Sequence, residues 1–208
     1  MSYSTEQESF WAGNFGNDYI DRNKGKNLLA SNLNFFSMAL KQANKLKSCI
    51  EFGANIGMNL KALKLLYPEI MQKGIEINFK ASENLSKLIG KENTFNKSIF
   101  DFNIQETFNL VLAKGVLIHI NPEKLEIVYK KLYEMSNRYI LIAEYYNPTP
   151  IAIKYRGHKD RLFKRDFAGD IMDIYPDISL LDYGFSYHRD KSFPQDDINW
   201  FLLKKDNS

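Results

Sequence analysis

The sequence predicts an α/β fold: a mostly parallel seven-stranded sheet with an antiparallel closing hairpin and an N-terminal helical lid. Three observations predict it. Short apolar runs alternate with helical patterns from residue 48 to residue 145, the arrangement of parallel strands joined by crossover helices. The last two apolar runs, 178–187 and 199–204, have no helical pattern between them, so they pair antiparallel. The length, 208 residues, suits one domain, which buries roughly 70% of its unfolded surface and needs no disulfide or metal to fold.

The elements follow in order. Residues 5–22 mix Phe10, Trp11, Phe15 and Tyr19 with polar residues, a short helix or lid that packs its rings on something. Residues 26–47 carry Leu28, Leu29, Leu33, Phe36, Leu40 and Leu46 at helical spacing. Ser48–Phe52 is a buried strand broken by Gly53, and Gly57–Tyr67 is a helix stopped by Pro68. Strand 71–77, helix 79–89 ended by Gly90, a weaker strand 93–99 and strand 108–113 come next. Asn121 caps a helix that starts at Pro122 and runs to about Met135. Strand 138–145 ends before Pro148 and Pro150. Residues 151–165 read as basic and irregular, and Asp166 caps a helix through Ile174. The expected organisation is one domain, 1–208, with a helical cap over 1–47, a core over 48–208 and a basic loop at 148–165.

Composition excludes several classes. The net charge of +3 gives no electrostatic footprint for nucleic acid or membrane. The lone Cys49 cannot form an intrachain disulfide or a thiolate zinc site, and reads as a small buried hydrophobe. The three histidines, His119, His158 and His188, show no paired ligand spacing, so no metal is expected, although the sequence leaves His158 and His188 free to meet in space. The N-terminal residues are polar, without a signal-peptide core, and no apolar run reaches membrane length. The expected location is the cytoplasm. Oligomeric state is left open.

The informative segment is Glu51-Phe52-Gly53-Ala54-Asn55-Ile56-Gly57-Met58-Asn59-Leu60, after a strand and opening a helix. Ligands of open α/β sheets bind at such a turn, beyond the carboxyl ends of the strands. The dinucleotide spacing G-x-G-x-x-G fails, because Asn55 and Met58 stand at its second and third glycines. The segment instead resembles motif I of class I methyltransferases, although Asn55 replaces the usual middle glycine. That resemblance implies a Rossmann-like fold and S-adenosyl-L-methionine, with S-adenosyl-L-homocysteine as product. Glu51, Gly53, Ala54, Asn55 and Asn59 become candidate cofactor residues.

Glu76 lies 23 residues after Gly53 at the end of the next strand. An acidic residue there accepts hydrogen bonds from ribose hydroxyls, or is a solvated strand-end residue; Ile77 follows it. In the methyltransferase layout, Ser98 and Ile99 supply the adenine pocket, and Lys114 and Gly115 line the methionine part. Tyr19 and Arg22, with Trp11 and Phe15, either cover the cofactor or pack on the domain.

Almost the whole chain resembles the pseudaminic acid biosynthesis-associated methylases. The resemblance rests on Phe10-Trp11, Phe15-Gly16, Tyr19 with Arg22-Asn23, Glu51 to Leu60, Lys114 to Pro122 and Tyr139 to Pro150. It continues through 155–158, 160–169 and 194–197. The family shares the missing middle glycine. It implies the fold and the cofactor, and points to a nonulosonic acid, its nucleotide-activated form or a glycan bearing it: a small, anionic, sugar-type substrate.

An oxygen acceptor needs its proton removed. His119, just past the fourth strand among apolar neighbours, is the candidate base, or else a packed histidine. Glu144 and Tyr146 at the end of the fifth strand are further catalytic candidates. Tyr145 and Asn147 there, with Arg156, His158 and Arg161 in the basic segment, are candidate substrate contacts; a solvated basic loop is the alternative. A nucleic-acid methyltransferase is a rival reading, because Asn147-Pro148-Thr149-Pro150 resembles the amino-methylating box; that box belongs after the fourth strand, not the fifth. A non-enzymatic module that keeps the cofactor pocket is another rival. A nicotinamide oxidoreductase is disfavoured by the glycine spacing.

Overall fold

The computed structural model describes residues 3–206. The ends of the expected domain, Met1, Ser2, Asn207 and Ser208, lie outside the described residues. The chain runs α1 (Glu6–Ala12), α2 (Asn14–Tyr19), α3 (Lys26–Ala39), β1 (Ser48–Phe52), α4 (Met58–Leu66), β2 (Met71–Ile75), α5 (Phe79–Ile89), β3 (Thr94–Phe95) and β4 (Phe108–Lys114). It continues with α6 (Leu125–Met135), β5 (Ser136–Glu144), β6 (Ile151–Tyr155), β7 (His158–Lys164), α7 (Phe167–Ile174), β8 (Ile178–Ser186) and β9 (Ile198–Lys205). Short 3-10 turns at Ile20–Asn23, Leu117–His119 and Pro122–Lys124 connect some of these.

Seven strands form one sheet in the order β3-β2-β1-β4-β5-β9-β8. β1 to β5 are parallel, and β9 runs antiparallel to both β5 and β8. Side-chain alternation splits the core. Ile50, Phe52, Val111, Ala113, Ile140 and Ile142 face Val128 and Leu132 of α6 and Phe167 and Ile171 of α7. Cys49, Leu110, Leu112, Tyr139 and Leu141 face Phe35 and Phe36 of α3, Leu60 and Leu63 of α4, and Leu85 of α5. Cys49 is fully buried, and burial pushes its thiol pKa up.

The sequence expectation fails in four places. The lid is two helices broken at Gly13, not one. α3 stops at Ala39 rather than reaching residue 47. The strand expected over 93–99 has only two paired residues, because Asn96 turns its amide onto the Glu76 and Ile77 carbonyls. The expected irregular segment 151–165 is an antiparallel hairpin, β6–β7, turning at Arg156 (φ 48°) and Gly157 (φ 89°). Two positive-φ residues in a two-residue loop match the twist of a hairpin.

Candidate active site

The strand order reverses between β1 and β4, and ligands of open α/β sheets bind at such a switch point. A cavity of about 520 Å³ lies there, within the range of small-molecule sites. Its floor is the turn after β1. Gly53 has φ 69°, and a Cβ added there would meet Val116 Cγ2 at 2.6 Å. Asn55 takes φ 48°, a left-handed conformation that asparagine tolerates better than most residues. Its Oδ1 accepts the Ile56 amide at 2.7 Å, so asparagine does here what the usual middle glycine does. Gly57, at φ 84°, sits against Leu85 and Leu88.

Glu76, one residue beyond β2, lines the cavity and is 7% exposed. Its Oε2 accepts the Asn55 amide at 2.8 Å and its Oε1 the Asn78 amide at 2.7 Å. Burial raises its pKa to about 7, against the pull of these amides. Ala54, Asn59, Ile77, Ser98, Ile99, Lys114, Gly115, Tyr19 and Arg22 also lie on the wall. Glu51 lies behind the wall: it is fully buried, Asn59 donates to its Oε1 at 2.6 Å, and its Oε2 has no partner. Burial raises its pKa to about 8, with Asn59 and Lys114 opposing.

The lid roofs the cavity. Thr5 and Glu8 form a capping box at α1, and the free oxygen of Glu8 accepts the Ser98 hydroxyl. Burial opposes the Glu8 charge, but hydrogen bonds from Ser98, Ser4 and Thr5 outweigh it and hold the pKa below the usual carboxylate range. Asn78 caps α5 through the Ala81 amide and turns its Nδ2 toward the Trp11 carbonyl and Asn17 Oδ1 at 3.2 and 3.0 Å. The lid also grips the β6–β7 hairpin, through Gln7 to the Asp160 carbonyl and Glu6 to Arg161. We expect Asn78→Ala to speed tryptic cleavage near Arg22 and Lys24 about fivefold, the loss of a net hydrogen bond to the lid being worth about 1 kcal/mol. Time-course proteolysis checks this; an unchanged rate would show that the clasp does not hold the lid.

His119 is 7% exposed and lines the cavity. Its Nδ1 is 2.6 Å from the Arg161 carbonyl oxygen. A carbonyl only accepts, so Nδ1 carries the hydrogen and Nε2 the lone pair. Burial lowers its pKa to about 4, and the ring packs against Trp11 and Tyr155. Arg156 also lines the cavity, at the hairpin tip.

Other candidates lie off the wall. Glu144 is buried, and its Oε1 accepts the Val116 and Leu117 amides at 2.9 and 2.8 Å; it fixes the turn after β4 rather than facing the cavity. Burial raises its pKa to about 7. Tyr146 is 37% exposed and packs near Phe201. Tyr145 is half-buried and hydrogen-bonds Asp196, a cavity residue. Asn147 bonds the Thr149 carbonyl, His158 packs on Phe10, and Arg161 contributes its carbonyl to His119 while its guanidinium pairs with Glu6.

Sequence reasoning missed Glu8, Asn32, Asn78, Gln195 and Asp196. Lys114 Nζ donates to Gln195 Oε1 at 3.2 Å, and Gln195 Nε2 donates to Asn32 Oδ1 at 2.8 Å, closing one end of the cavity with the β8–β9 loop and α3. Burial lowers the Lys114 pKa, opposed by Glu51, Asp196 and Glu144. Only the Thr5–Glu8 capping box was a local signal; the rest are long-range contacts. No described helix is long and apolar enough to cross a membrane, and no metal-ligand cluster occurs among the described residues.

The three raised carboxyl pKa values imply a pH dependence. Between about pH 6.5 and 8 the folded state holds protons that unfolded carboxylates have lost, so stability falls as pH rises. His119 acts the other way only below about pH 6.5. Melting temperature of the ligand-free protein is expected to drop from pH 6.5 to 8, and Glu51→Gln to flatten the drop. A rising melting temperature over that window would contradict these assignments.

No protein-family model and no curated protein sequence matches the chain. Solved structures do. A 1,6-didemethyltoxoflavin-N1-methyltransferase of Burkholderia thailandensis, with its substrate and S-adenosylhomocysteine bound, aligns with TM-score 0.73 at 11% identity, covering 99% of this chain and 91% of that one. The plantazolicin methyltransferase, in complex with a substrate analogue and S-adenosylhomocysteine, aligns with TM-score 0.66 at 15% identity, covering 96% and 94%. Magnesium protoporphyrin IX methyltransferase from Synechocystis PCC 6803, with S-adenosylmethionine bound, aligns with TM-score 0.65 at 10% identity, covering 99% and 100%. The chain therefore has the Rossmann-like fold of S-adenosylmethionine-dependent methyltransferases.

Proposed function

We propose that the protein is a single-domain S-adenosylmethionine-dependent methyltransferase acting on a small anionic molecule. The observation that carries this reading is the placement of Glu76 on a roofed cavity beside the Gly53–Asn55 turn. The residues fit the cofactor. Glu76 offers an acceptor-only carboxylate to a ribose diol. Ile77, Ser98 and Ile99 line the same cavity and would take the flat base. Lys114 and Gly115 border the space for the amino-acid tail; Gly115 has φ 67° and nothing within 4 Å of an added Cβ. The unpartnered Glu51 Oε2 lies one layer behind, next to Asn59 and within the field of Lys114.

The bound cofactor would supply an electrophilic methyl group. The chain's own work is then positioning and proton removal. The lid, Lys114–Gln195–Asn32 and the Glu144-braced turn hold the reactants and exclude water. His119 Nε2 accepts the acceptor's proton while Arg161 fixes the ring. Tyr145, through Asp196, and Arg156 orient the acceptor.

Arg22, Lys97 and Arg156 border the cavity and make no ion pair among the described residues, which favours a carboxylate or phosphate on the acceptor. The sequence resemblance makes a nonulosonic acid, its nucleotide-activated form or a glycan bearing it the first class to assay. Transfer of a labelled methyl group to such a panel is the test. Arg156→Ala is expected to raise KM for the acceptor about tenfold with little change in kcat. Cofactor binding without transfer to any anionic acceptor would sink the substrate assignment.

A further inference from the structure

We propose that β8 is a dimer seam, pairing antiparallel with β8 of a second copy of this chain. β8 is the last strand of the sheet, so one row of its amides and carbonyls has no strand beside it. Outside its ladder with β9, residues 179–186 make no backbone-to-backbone hydrogen bond among the described residues. Nine residues span roughly 30 Å. Edge strands usually protect themselves with charge, proline or short length. β8 has no proline and one charge, Asp182. Its Oδ2 pairs with Lys41 at 3.2 Å while its Oδ1 accepts the Tyr183 amide at 2.9 Å, a contact that a partner strand would have to replace or leave in place.

What β8 presents instead is apolar. A bulge between Leu180 and Asp182 shifts the alternation, so Leu180 opposes Leu203, Tyr183 opposes Phe201 and Phe185 opposes Asn199. Leu180, Tyr183, Phe185 and the following Tyr187 therefore share one face. They are 42%, 67%, 53% and 46% exposed, and the Phe185 and Tyr187 rings lie 6.1 Å apart. Ile178, at the start of the strand, is buried in the same apolar cluster as Phe167 and Ile171 of α7.

Area and charge favour a second copy. At about 200 Å² for a whole aromatic side chain, these exposures leave roughly 400 Å² open per copy. With the edge backbone, two copies approach the roughly 1,000 Å² that a specific interface needs. An antiparallel self-pair centred on Tyr183 sets residue 177 of one copy opposite residue 189 of the other. Asp177 precedes the strand, with its Oδ2 accepting the Tyr133 hydroxyl at 2.9 Å; Arg189 follows the strand and makes no ion pair among the described residues. The two-fold axis makes this opposite-charge pairing occur at both ends of the seam. The seam ends beside His188, a cavity residue, so dimerisation would brace the loop that closes the site.

Sedimentation equilibrium of the full chain tests this. The expected mass is twice the 24.2 kDa of one chain. Phe185→Lys is expected to return the single-chain mass with unchanged far-ultraviolet circular dichroism. Arg189→Asp is expected to weaken the dimer, and Arg189→Asp with Asp177→Arg to restore it. A single-chain mass up to about 100 µM would overturn the proposal. So would a dimer indifferent to Phe185→Lys and to the charge reversal. Single-chain protein that sediments with phosphatidylglycerol vesicles through Phe185 would give the patch to a lipid surface instead.

Discussion

Glu76→Ala is expected to weaken S-adenosylhomocysteine binding by about two to three orders of magnitude. The ribose hydroxyls would lose charged acceptors, each such bond being worth about 1.5–3 kcal/mol. The turn itself would also loosen, because the same carboxyl ties the Asn55 and Asn78 amides together. The two effects separate in Glu76→Gln, which keeps an acceptor oxygen but places an amide donor on one side; it should fall between wild type and alanine. A second signature is pH. Burial sets the Glu76 carboxyl near pH 7, and the ionised form is the better diol acceptor. Wild-type affinity should therefore rise from pH 6 to pH 8, and the Gln variant should lose that rise. Calorimetry on the three proteins checks both, and equal affinities would remove Glu76 from the cofactor site.

His119→Asn is expected to lower kcat for an oxygen acceptor by about 10²–10⁴-fold, the usual worth of a positioned base. Asparagine can still donate to the Arg161 carbonyl, so the hairpin contact is kept while the basic nitrogen is lost. The cofactor dissociation constant should change little. At saturating cofactor, the wild-type kcat should stay level as pH falls through 6, because burial holds the imidazole neutral down to about pH 4; it should fall only as that pKa is approached. In the variant, the rate should climb with pH as the acceptor ionises on its own. A packing histidine would behave differently: kcat, cofactor affinity and melting temperature would decline together, and the pH profile would keep its shape.

The fold was legible where local signals agreed. β1 was an apolar run closed by Gly53, α5 ended at Gly90, and Asp166 accepts the Gly169 amide as the cap of α7. The β6–β7 hairpin was masked by its Lys and Arg content, yet Ile151, Ile153 and Tyr155 alternate, and Arg156-Gly157 is a two-residue turn. β3 failed because a side chain, Asn96, competes for the carbonyls beyond β2.

At the site, the turn residues and Glu76 could be placed because strand ends and glycine spacing are local. The lid could not: Ser98 meets Glu8 across 90 residues, and Gln195 meets Asn32 across 163. Glu144 shows the same limit from the other side. Its position at a strand end suggested chemistry, but only the three-dimensional path of the turn after β4 puts two amides on its oxygen.

The central claim is that this cavity holds S-adenosylmethionine. The most direct measurement is calorimetric titration of the wild-type protein with S-adenosylhomocysteine, beside NADH as the competing class of ligand. The account predicts binding near micromolar, about −8 kcal/mol, and no heat with NADH. Folded protein that gives no signal with S-adenosylhomocysteine at millimolar concentration, or that prefers NADH, would contradict it.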